Sequence, residues 1–308
     1  MNTRNIRFKS NRVRDIINLY HAELDQLYGS GEVDMFVLML FEDFLGWDRV
    51  RMLLGKEQTI DQSDLLRFHW ALEDLKRHRP IQHIIGHVDF CGCRIEVGPD
   101  VLIPRPETEE IVSWCIANAN FSDSRPSIVD LCTGSGCIAI ALKKAFPHSD
   151  VTAVDLSEAA LNVARRNAKA NGVEINFMQA DVLSPDFALP ASRYSLVISN
   201  PPYVLDSERS AMQRNVLDYD PPQALFVPDS NPLLFYQAIA AIANRSLAPD
   251  GMLVVEINKE FPDEICELFS KYGFSHVVHR DFRNLPRWIT CKANQAEQPQ
   301  KQNDSYHV

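Results

Sequence analysis

The 308-residue chain is predicted to be an α/β protein in which a small helical bundle precedes a parallel sheet covered by helices on both faces. Three features predict this class. Residues 1–80 carry apolar side chains at the three- and four-residue spacing of helices, without strand-like alternation. From residue 126 onward, short β-branched runs alternate with helical segments. A glycine-rich turn joins the first of these runs to the helix that follows it.

The composition excludes several functional classes. A net charge of −10 argues against a general nucleic-acid binder, because such proteins usually present a basic face. No apolar run is long enough to span a bilayer, and the segment MNTRNIRFKS lacks the apolar stretch of a signal peptide. The seven cysteines lack the spacing of a disulfide framework or a metal site. We therefore expect a cytoplasmic protein with no membrane partner, no nucleic-acid substrate and no metal.

Four segments are predicted along the chain. Residues 1–80 form a helical domain with 12 Lys/Arg and 13 Asp/Glu, so almost all of the excess negative charge follows it. Residues 81–104 change to strand-like residues punctuated by Gly and Pro-Asp, which predicts a β-hairpin linker. Residues 105–292 repeat β-α units and form the main domain. Residues 293–308 are rich in Gln and Asn with little apolar content, which predicts a disordered tail.

The main domain begins with a helix in PRPETEEIVSWCIANA, whose first-turn proline and acidic residues suit a helix N-terminus. Parallel strands are then predicted in SIVDL, DVTAVD, INFMQAD, YSLVISN and GMLVVEIN. Helices are predicted in GCIAIALKKAF, SEAALNVARRNAKANG and DEICELFSKYG. The runs HVVHR and RWITCKA are predicted to close the sheet as a pair.

The turn in VDLCTGSGCIA and three acids suggest a cofactor site. Gly134 and Gly136 let the backbone approach a ligand, and the following helix offers free N–H groups. Asp155 ends the second strand about 20 residues later, where a carboxylate can hold ribose hydroxyls. Asp130 and Asp181 lie at the ends of the first and third strands. Three acids would repel a pyrophosphate, but they suit S-adenosylmethionine, whose amino and hydroxyl groups are hydrogen-bond donors. The alternative is that the three acids are helix N-caps.

The segment VISNPPYV ends a buried strand abruptly. Pro201 and Pro202 cannot donate to a ladder, so Asn200 and Tyr203 lie on a stiff corner at the strand's carboxyl end, where ligands bind in α/β sheets. If the Asn200 side-chain carbonyl and the Pro201 backbone carbonyl each accept one N–H of a substrate –NH2, they orient its nitrogen for methylation. They also stabilise developing positive charge, and Tyr203 can stack on the planar group. The alternative is a simple turn with an Asx cap.

The segment RPIQHIIGHVDFCGCRIEVGPDVLIPRPETEEIV, together with the glycine turn and NPPY, resembles the release-factor glutamine methyltransferase family over roughly residues 10–292. The resemblance implies a Rossmann-like class I S-adenosylmethionine-dependent methyltransferase sheet as the catalytic domain. It also implies methylation of the glutamine side-chain amide in the Gly-Gly-Gln motif of peptide-chain release factors, with residues 1–80 as the docking domain.

The resemblance also implies site residues. The family's cofactor contacts correspond to Cys132, Thr133, Gly134, Ser135, Gly136, Asp155, Val182 and Asn200. Its substrate contacts correspond to Asn200, Pro201, Pro202 and Tyr203, of which Asn200, Pro201 and Tyr203 are expected to be catalytic.

Some positions depart from the family pattern. Cys132 replaces a common glycine, which we expect to be tolerated only if its φ is negative. Asn258 and Phe261 stand where Gly and Gln are usual. Three alternative functions stay open: a glutamine methyltransferase for a ribosomal protein, whose members often carry CTGSGC; an adenine-specific nucleic-acid methyltransferase, which shares NPPY; and a non-catalytic module that binds a translation factor.

Overall fold

A computed structural model describes residues 8–121, 123–190 and 193–294 of the chain. These residues form two compact units. The first contains the described residues up to Asp89, with Ile95–Ile103 and Glu208–Pro222; the second contains Phe90–Arg94, Pro104–Ser207 and the described residues from Gln223 onward. None of the helices in these described ranges is both long and apolar enough to cross a membrane.

Helices and strands are numbered in chain order. The helices are α1 (Val13–Tyr28), α2 (Ser30–Leu45), α3 (Arg49–Leu54), α4 (Gln62–Leu75), α5 (Ile81–Ile85), α6 (Pro106–Asn118), α7 (Cys137–Ala145), α8 (Glu158–Ala170), α9 (Arg214–Leu217), α10 (Leu234–Ser246) and α11 (Pro262–Lys271). The strands are β1 (His87–Phe90), β2 (Cys93–Glu96), β3 (Ser127–Leu131), β4 (Asp150–Asp155), β5 (Asn176–Gln179), β6 (Tyr194–Ser199), β7 (Val204–Leu205), β8 (Phe226–Val227), β9 (Leu247–Glu256), β10 (Phe274–Arg280) and β11 (Pro286–Ala293).

The first unit is a helical bundle around one apolar core. Helix α1 buries Ile16, Tyr20 and Leu24, which recur at four-residue spacing and therefore share one face. The Tyr20 hydroxyl donates to the carbonyl of Phe68 on α4 at 2.6 Å, so the buried phenol keeps a hydrogen-bond partner. The ring of Phe68 packs against that of Phe41 on α2, with centroids 4.7 Å apart. The predicted helical character of this region is confirmed.

The segment after the bundle is only partly the hairpin that the sequence predicts. Strands β1 and β2 do pair as a two-stranded sheet. Residues 81–85 instead form helix α5, which ends at Gly86 in the left-handed conformation. The strand prediction there is wrong, because β-branched residues that lack cross-strand partners also fit a short buried helix.

The second unit contains a seven-stranded sheet in the order β10-β11-β9-β6-β3-β4-β5. Strands β5, β4, β3, β6 and β9 are parallel, whereas β11 pairs antiparallel with both β9 and β10. The central strands β3 and β6 are almost wholly buried, as expected when helices cover both faces. The predicted α/β class, its strands and the closing pair are confirmed, and the pair is antiparallel.

Two features of this unit differ from the predicted segments. Strand β11 extends to Ala293, the first residue of the predicted tail, and the tail from residue 295 lies outside the described residues. Residues 208–222, which fall within the predicted main domain, are grouped with the helical unit. There the Tyr219 hydroxyl donates to the carbonyl of Arg77 at 3.0 Å. A long insertion between two strands gives no periodic signal of which core it joins.

Candidate active site

The sheet reverses its winding between β3 and β6. From β3 the chain adds β4 and β5 on one side and then returns to place β6 on the other. Ligands of open α/β sheets bind at the carboxyl ends of the strands that flank such a reversal. The Ser199 hydroxyl at the end of β6 donates to the carbonyl of Leu131 at the end of β3, at 2.7 Å. The glycine turn after β3 and the NPPY corner after β6 therefore begin side by side.

The glycine turn contains three residues in the left-handed region. Their φ angles are 62° at Cys132, 54° at Gly134 and 79° at Gly136. A Cβ added to Gly136 would lie 3.0 Å from Cβ of Ala164, whereas one added to Gly134 would meet nothing within 4 Å. Gly136 is thus required for packing of α7 on α8, and Gly134 presents bare backbone to open space.

The positive φ of Cys132 contradicts the expectation that cysteine there requires a negative φ. Such a conformation costs a non-glycine residue about 1–3 kcal/mol. Hydrogen bonds on both sides hold it: the Thr133 amide donates to the Val154 carbonyl at 3.0 Å, and Leu131 accepts the bond from Ser199. The surrounding sheet therefore imposes the backbone conformation at Cys132.

Side chains beneath the turn fix its remaining residues. The Thr133 hydroxyl donates to Asp130 at 2.5 Å, and the Asn167 side chain donates to the Ser135 carbonyl at 2.9 Å. Burial raises the pKa of Asp130 to about 7, against the opposing hydrogen bond from Thr133. Asp130 lies inside β3 and is fully buried, so it supports the turn from below.

Asp155 ends β4 as predicted and is bonded to the turn. Its Oδ2 accepts the Gly134 amide at 2.8 Å and its Oδ1 accepts the Ser157 amide at 2.9 Å. Burial raises its pKa, while these backbone donors oppose the shift. A carboxylate has about four acceptor positions, so acceptor capacity for a ligand hydroxyl remains beside the backbone donors Gly134, Ser157 and Leu156. Leu156 beside it leaves 60% of its surface exposed, which the sequence did not indicate.

Asp181 and Val182, which follow β5, differ in their exposure to solvent. Asp181 is exposed, and its Oδ1 accepts the Leu183 amide at 2.8 Å, which makes it a local turn acceptor. This matches the capping alternative for that acid. Val182 is buried and belongs to the core cluster around β3, β6 and β9.

At the NPPY corner, Asn200 and Tyr203 are joined through residues that the sequence reasoning missed. Asn200 Nδ2 donates to Thr108 Oγ1 at 3.1 Å, and the Thr108 hydroxyl donates to Glu256 at 2.7 Å. The Tyr203 hydroxyl donates to the other oxygen of Glu256 at 3.0 Å. Burial raises the pKa of Glu256, opposed by these two donors and by the charge of Arg287. Burial and the charge of Glu256 raise the pKa of Tyr203, so its phenol stays protonated.

Asn258, one of the residues that depart from the family pattern, holds the backbone of the NPPY corner. Asn258 Nδ2 donates to the Tyr203 carbonyl at 3.1 Å, and the Asn258 amide donates to the Tyr236 hydroxyl at 3.0 Å. Phe261, the other departure, packs against the apolar core. Pro201 and Pro202 are buried, as their apolar rings favour. The LIPRPETE motif (residues 102–109) contains Thr108 and is the one sequence signal that could have pointed to this hydrogen-bond network.

This edge of the sheet suits S-adenosylmethionine. The free backbone at Gly134 leaves room for the ligand, and Asp155 keeps acceptor capacity for ribose hydroxyls. Leu156, which follows that carboxylate in the chain, exposes an apolar side chain of the kind that suits an adenine ring. The Cys132–Gly136 turn, Asp155 and Asn200 thus lie around one edge, which fits the donor groups of this cofactor.

Two family models match the chain. The PrmC N-terminal domain matches residues 18–86, and the Methyltransferase small domain matches residues 115–219. The release factor glutamine methyltransferase of Flavobacterium psychrophilum is 39% identical over 257 residues, which cover 83% of this chain and 90% of the relative. The protein of the same name from Bacteroides thetaiotaomicron is 39% identical over 269 residues, covering 87% of this chain and 95% of the relative.

The chain belongs to the release factor glutamine methyltransferase family. This confirms the resemblance that LIPRPETE and NPPY indicate and makes the chain an S-adenosylmethionine-dependent methyltransferase. Among solved structures, the hMettl16 catalytic domain in complex with MAT2A 3′UTR hairpin 6 has a TM-score of 0.51 at 14% identity. The match covers 80% of this chain and 87% of that chain, and at this identity the likeness concerns the fold alone.

Proposed function

We propose that this protein transfers a methyl group from S-adenosylmethionine to the side-chain amide nitrogen of the glutamine in the Gly-Gly-Gln motif of peptide-chain release factors. The observation that carries the proposal is the Asn200 carboxamide, held by Thr108 at the carboxyl end of β6 beside the glycine turn. An amide acceptor fixed at this point suits a substrate whose reacting group is itself an –NH2. The names of the two bacterial relatives support this choice of substrate.

The cofactor site consists of the turn Cys132–Gly136, Asp155, Val182 and Asn200. Asp155 accepts a ribose hydroxyl with the acceptor capacity that its backbone donors leave free. When bound there, S-adenosylmethionine supplies an electrophilic methyl group on its sulfonium sulfur. Val182 is buried in the adjoining core and would supply an apolar contact there.

The substrate site consists of Asn200, Pro201, Pro202 and Tyr203. The Asn200 Oδ1 and the Pro201 carbonyl each accept one N–H of the glutamine amide, which aims the nitrogen at the methyl group. The same two acceptors would stabilise positive charge on the nitrogen as it gains the methyl, until one N–H proton passes to water. Tyr203, with its hydroxyl tied to Glu256, places its ring as a platform for the planar amide.

The helical domain of residues 1–80 is proposed to dock the release factor. It carries no catalytic motif, and the PrmC N-terminal domain model matches most of it. We propose no nucleic-acid substrate and no membrane partner, since the chain carries a net charge of −10 and polyanions favour proteins with a basic face.

The test is methylation of a purified release factor by the full chain with isotopically labelled S-adenosylmethionine. Labelling of the Gly-Gly-Gln glutamine, located by peptide mass spectrometry, supports the proposal. The matched control is the same factor with that glutamine replaced by asparagine, which should stay unlabelled. Labelling of a ribosomal protein or of DNA instead, with the factor untouched, would contradict the proposal.

A further inference from the structure

We propose that Thr108 and Glu256 fix the orientation of the Asn200 carboxamide, so that its Oδ1 rather than its –NH2 faces the substrate. Both are positioning residues, because neither is assigned a contact with the reacting atoms. The inference rests on the methyl transfer proposed above, and it deepens that proposal by assigning how the acceptor atom is selected.

The three side chains form a relay of hydrogen bonds in which each donor points from Asn200 toward Glu256. Asn200 Nδ2 lies 3.1 Å from Thr108 Oγ1, which lies 2.7 Å from Glu256 Oε2. Thr108 and Glu256 are each only 2% exposed, so water does not compete for these bonds. Thr108 lies on α6 and Glu256 ends β9, so two rigid elements hold the relay.

The chemistry of the groups determines the direction. Both oxygens of Glu256 already face O–H donors, from Thr108 and from Tyr203. A hydroxyl has one proton, and Thr108 gives it to Glu256. Toward Asn200 the Thr108 oxygen can therefore only accept, which requires the –NH2 of Asn200 on that side. The Oδ1 of Asn200 is left on the other side as an acceptor.

Without this relay the carboxamide has two orientations of nearly equal shape, related by exchange of its oxygen and nitrogen. In the reversed orientation, an N–H of Asn200 would face the N–H groups of the substrate amide. Two donors cannot hydrogen-bond to each other, so the substrate nitrogen would lose its aim. Orientation of Asn200 is thus a condition for the transfer step, whereas the cofactor contacts proposed for the glycine turn and Asp155 do not depend on it.

The kinetic test compares Thr108→Val, which keeps the shape but removes the hydroxyl, with Thr108→Ser, which keeps the hydroxyl. With a release factor as substrate, Thr108→Val should lower single-turnover kcat by about tenfold to a hundredfold. Thr108→Ser should recover most of that loss. Calorimetric affinity for S-adenosylmethionine should stay within about threefold of wild type in both variants. A kcat that stays at wild-type level in Thr108→Val, or a loss that Thr108→Ser does not recover, would overturn the proposal.

A second measurement needs no substrate and no variant of Thr108. In ¹⁵N-labelled wild-type protein, the side-chain amide signal of Asn200, identified by its loss in Asn200→Ala, should show one proton protected from solvent exchange. Equal, fast exchange of both protons would contradict the relay even if the enzyme methylates its factor. A protected signal in a protein that methylates no release factor would uphold the orientation and reject the proposed function, so the two failures are distinguishable.

Discussion

The glycine turn and the NPPY corner lie at adjacent strand ends, yet different forces hold them. The turn is held through its own backbone groups: three residues are left-handed, the Thr133 amide donates to the Val154 carbonyl, and the Gly134 amide donates to the Asp155 carboxylate. The corner is held mainly by side chains from distant parts of the chain. Its bonds to Thr108 and Asn258 join residues 92 and 55 positions away from their partners.

This difference follows from what each side must do. A cofactor with many polar groups can be gripped by a shaped backbone, because amides and carbonyls are present whatever the side chains are. One substrate nitrogen must be aimed within narrow limits, which requires an acceptor whose own rotamer is fixed by neighbouring groups. Changes in the corner should therefore affect turnover, whereas changes in the turn should affect stability and cofactor affinity.

The largest effect is expected from Asn200→Ala. Loss of a positioned acceptor should raise the barrier by about 2.7–4 kcal/mol, a hundredfold or more in rate. The melting temperature should change little, because only one half-buried bond to Thr108 is lost. Single-turnover methyl transfer and thermal melts measure the two quantities. The control is Asn244→Ala, which removes an asparagine outside the site whose side chain donates to the Tyr272 carbonyl. A destabilised but fully active Asn200→Ala protein would show that the corner is only a turn.

Gly136→Ala should have the next largest effect, which is a loss in the free energy of unfolding. The left-handed φ costs a non-glycine residue about 1–2 kcal/mol, and the contact with Ala164 should bring the total to about 2–3 kcal/mol. Gly134→Ala, with a similar φ but open space around its Cβ, should lose only about 1 kcal/mol. Urea unfolding measures both losses. Gly273→Ala, remote in sequence and unobstructed, is the control for the φ effect alone. Equal losses at Gly134 and Gly136 would refute the packing role of Gly136.

Asp155→Ala should weaken S-adenosylmethionine binding by about 1–3 kcal/mol, or one to two decades in affinity. Two contributions add in the same direction: loss of acceptors for the ribose hydroxyls and release of the Gly134 amide from its partner. Asp155→Asn, which keeps one acceptor oxygen, should lose less. Titration calorimetry at fixed pH compares the three proteins. An unchanged dissociation constant in the alanine variant would remove Asp155 from the cofactor site.

The last prediction concerns a pH dependence of stability that arises from Asp130 and leaves the site's contacts intact. Burial raises its pKa to about 7 in the folded state, from an ordinary value of 3.8. Between these values the unfolded chain is ionised while the folded protein stays protonated. Stability should therefore fall as the pH rises from about 4 to 7, by at most about 1.4 kcal/mol per pH unit from this group. In Asp130→Asn this contribution should vanish, because the amide does not titrate.

Urea unfolding of both proteins at several pH values in this range gives the difference. A constant gap between Asp130→Asn and wild type across the range would mean that Asp130 is ionised in the folded protein. A gap that changes with pH, with wild type losing stability faster, is the expected result and locates the proton in the core beneath the turn.

The sequence alone determined the features that depend on neighbours in the chain. Alternating β-branched and helical segments predicted the sheet and its helices, because periodicity reports which face each element buries. Gly134, Gly136 and the NPPY corner were identified from turn chemistry, which acts within a few residues. LIPRPETE and NPPY together were specific enough to indicate the family.

Only the tertiary structure decided how those features are held. Local sequence rules did not predict three features: the left-handed Cys132, the helix at residues 81–85, and the grouping of residues 208–222 with the helical bundle. The bonds from Thr108 to Asn200 and Glu256 join residues 92 and 148 positions apart. Side-chain hydrogen bonds over such separations leave no periodic signal, because they depend on where separate elements meet in the packed protein.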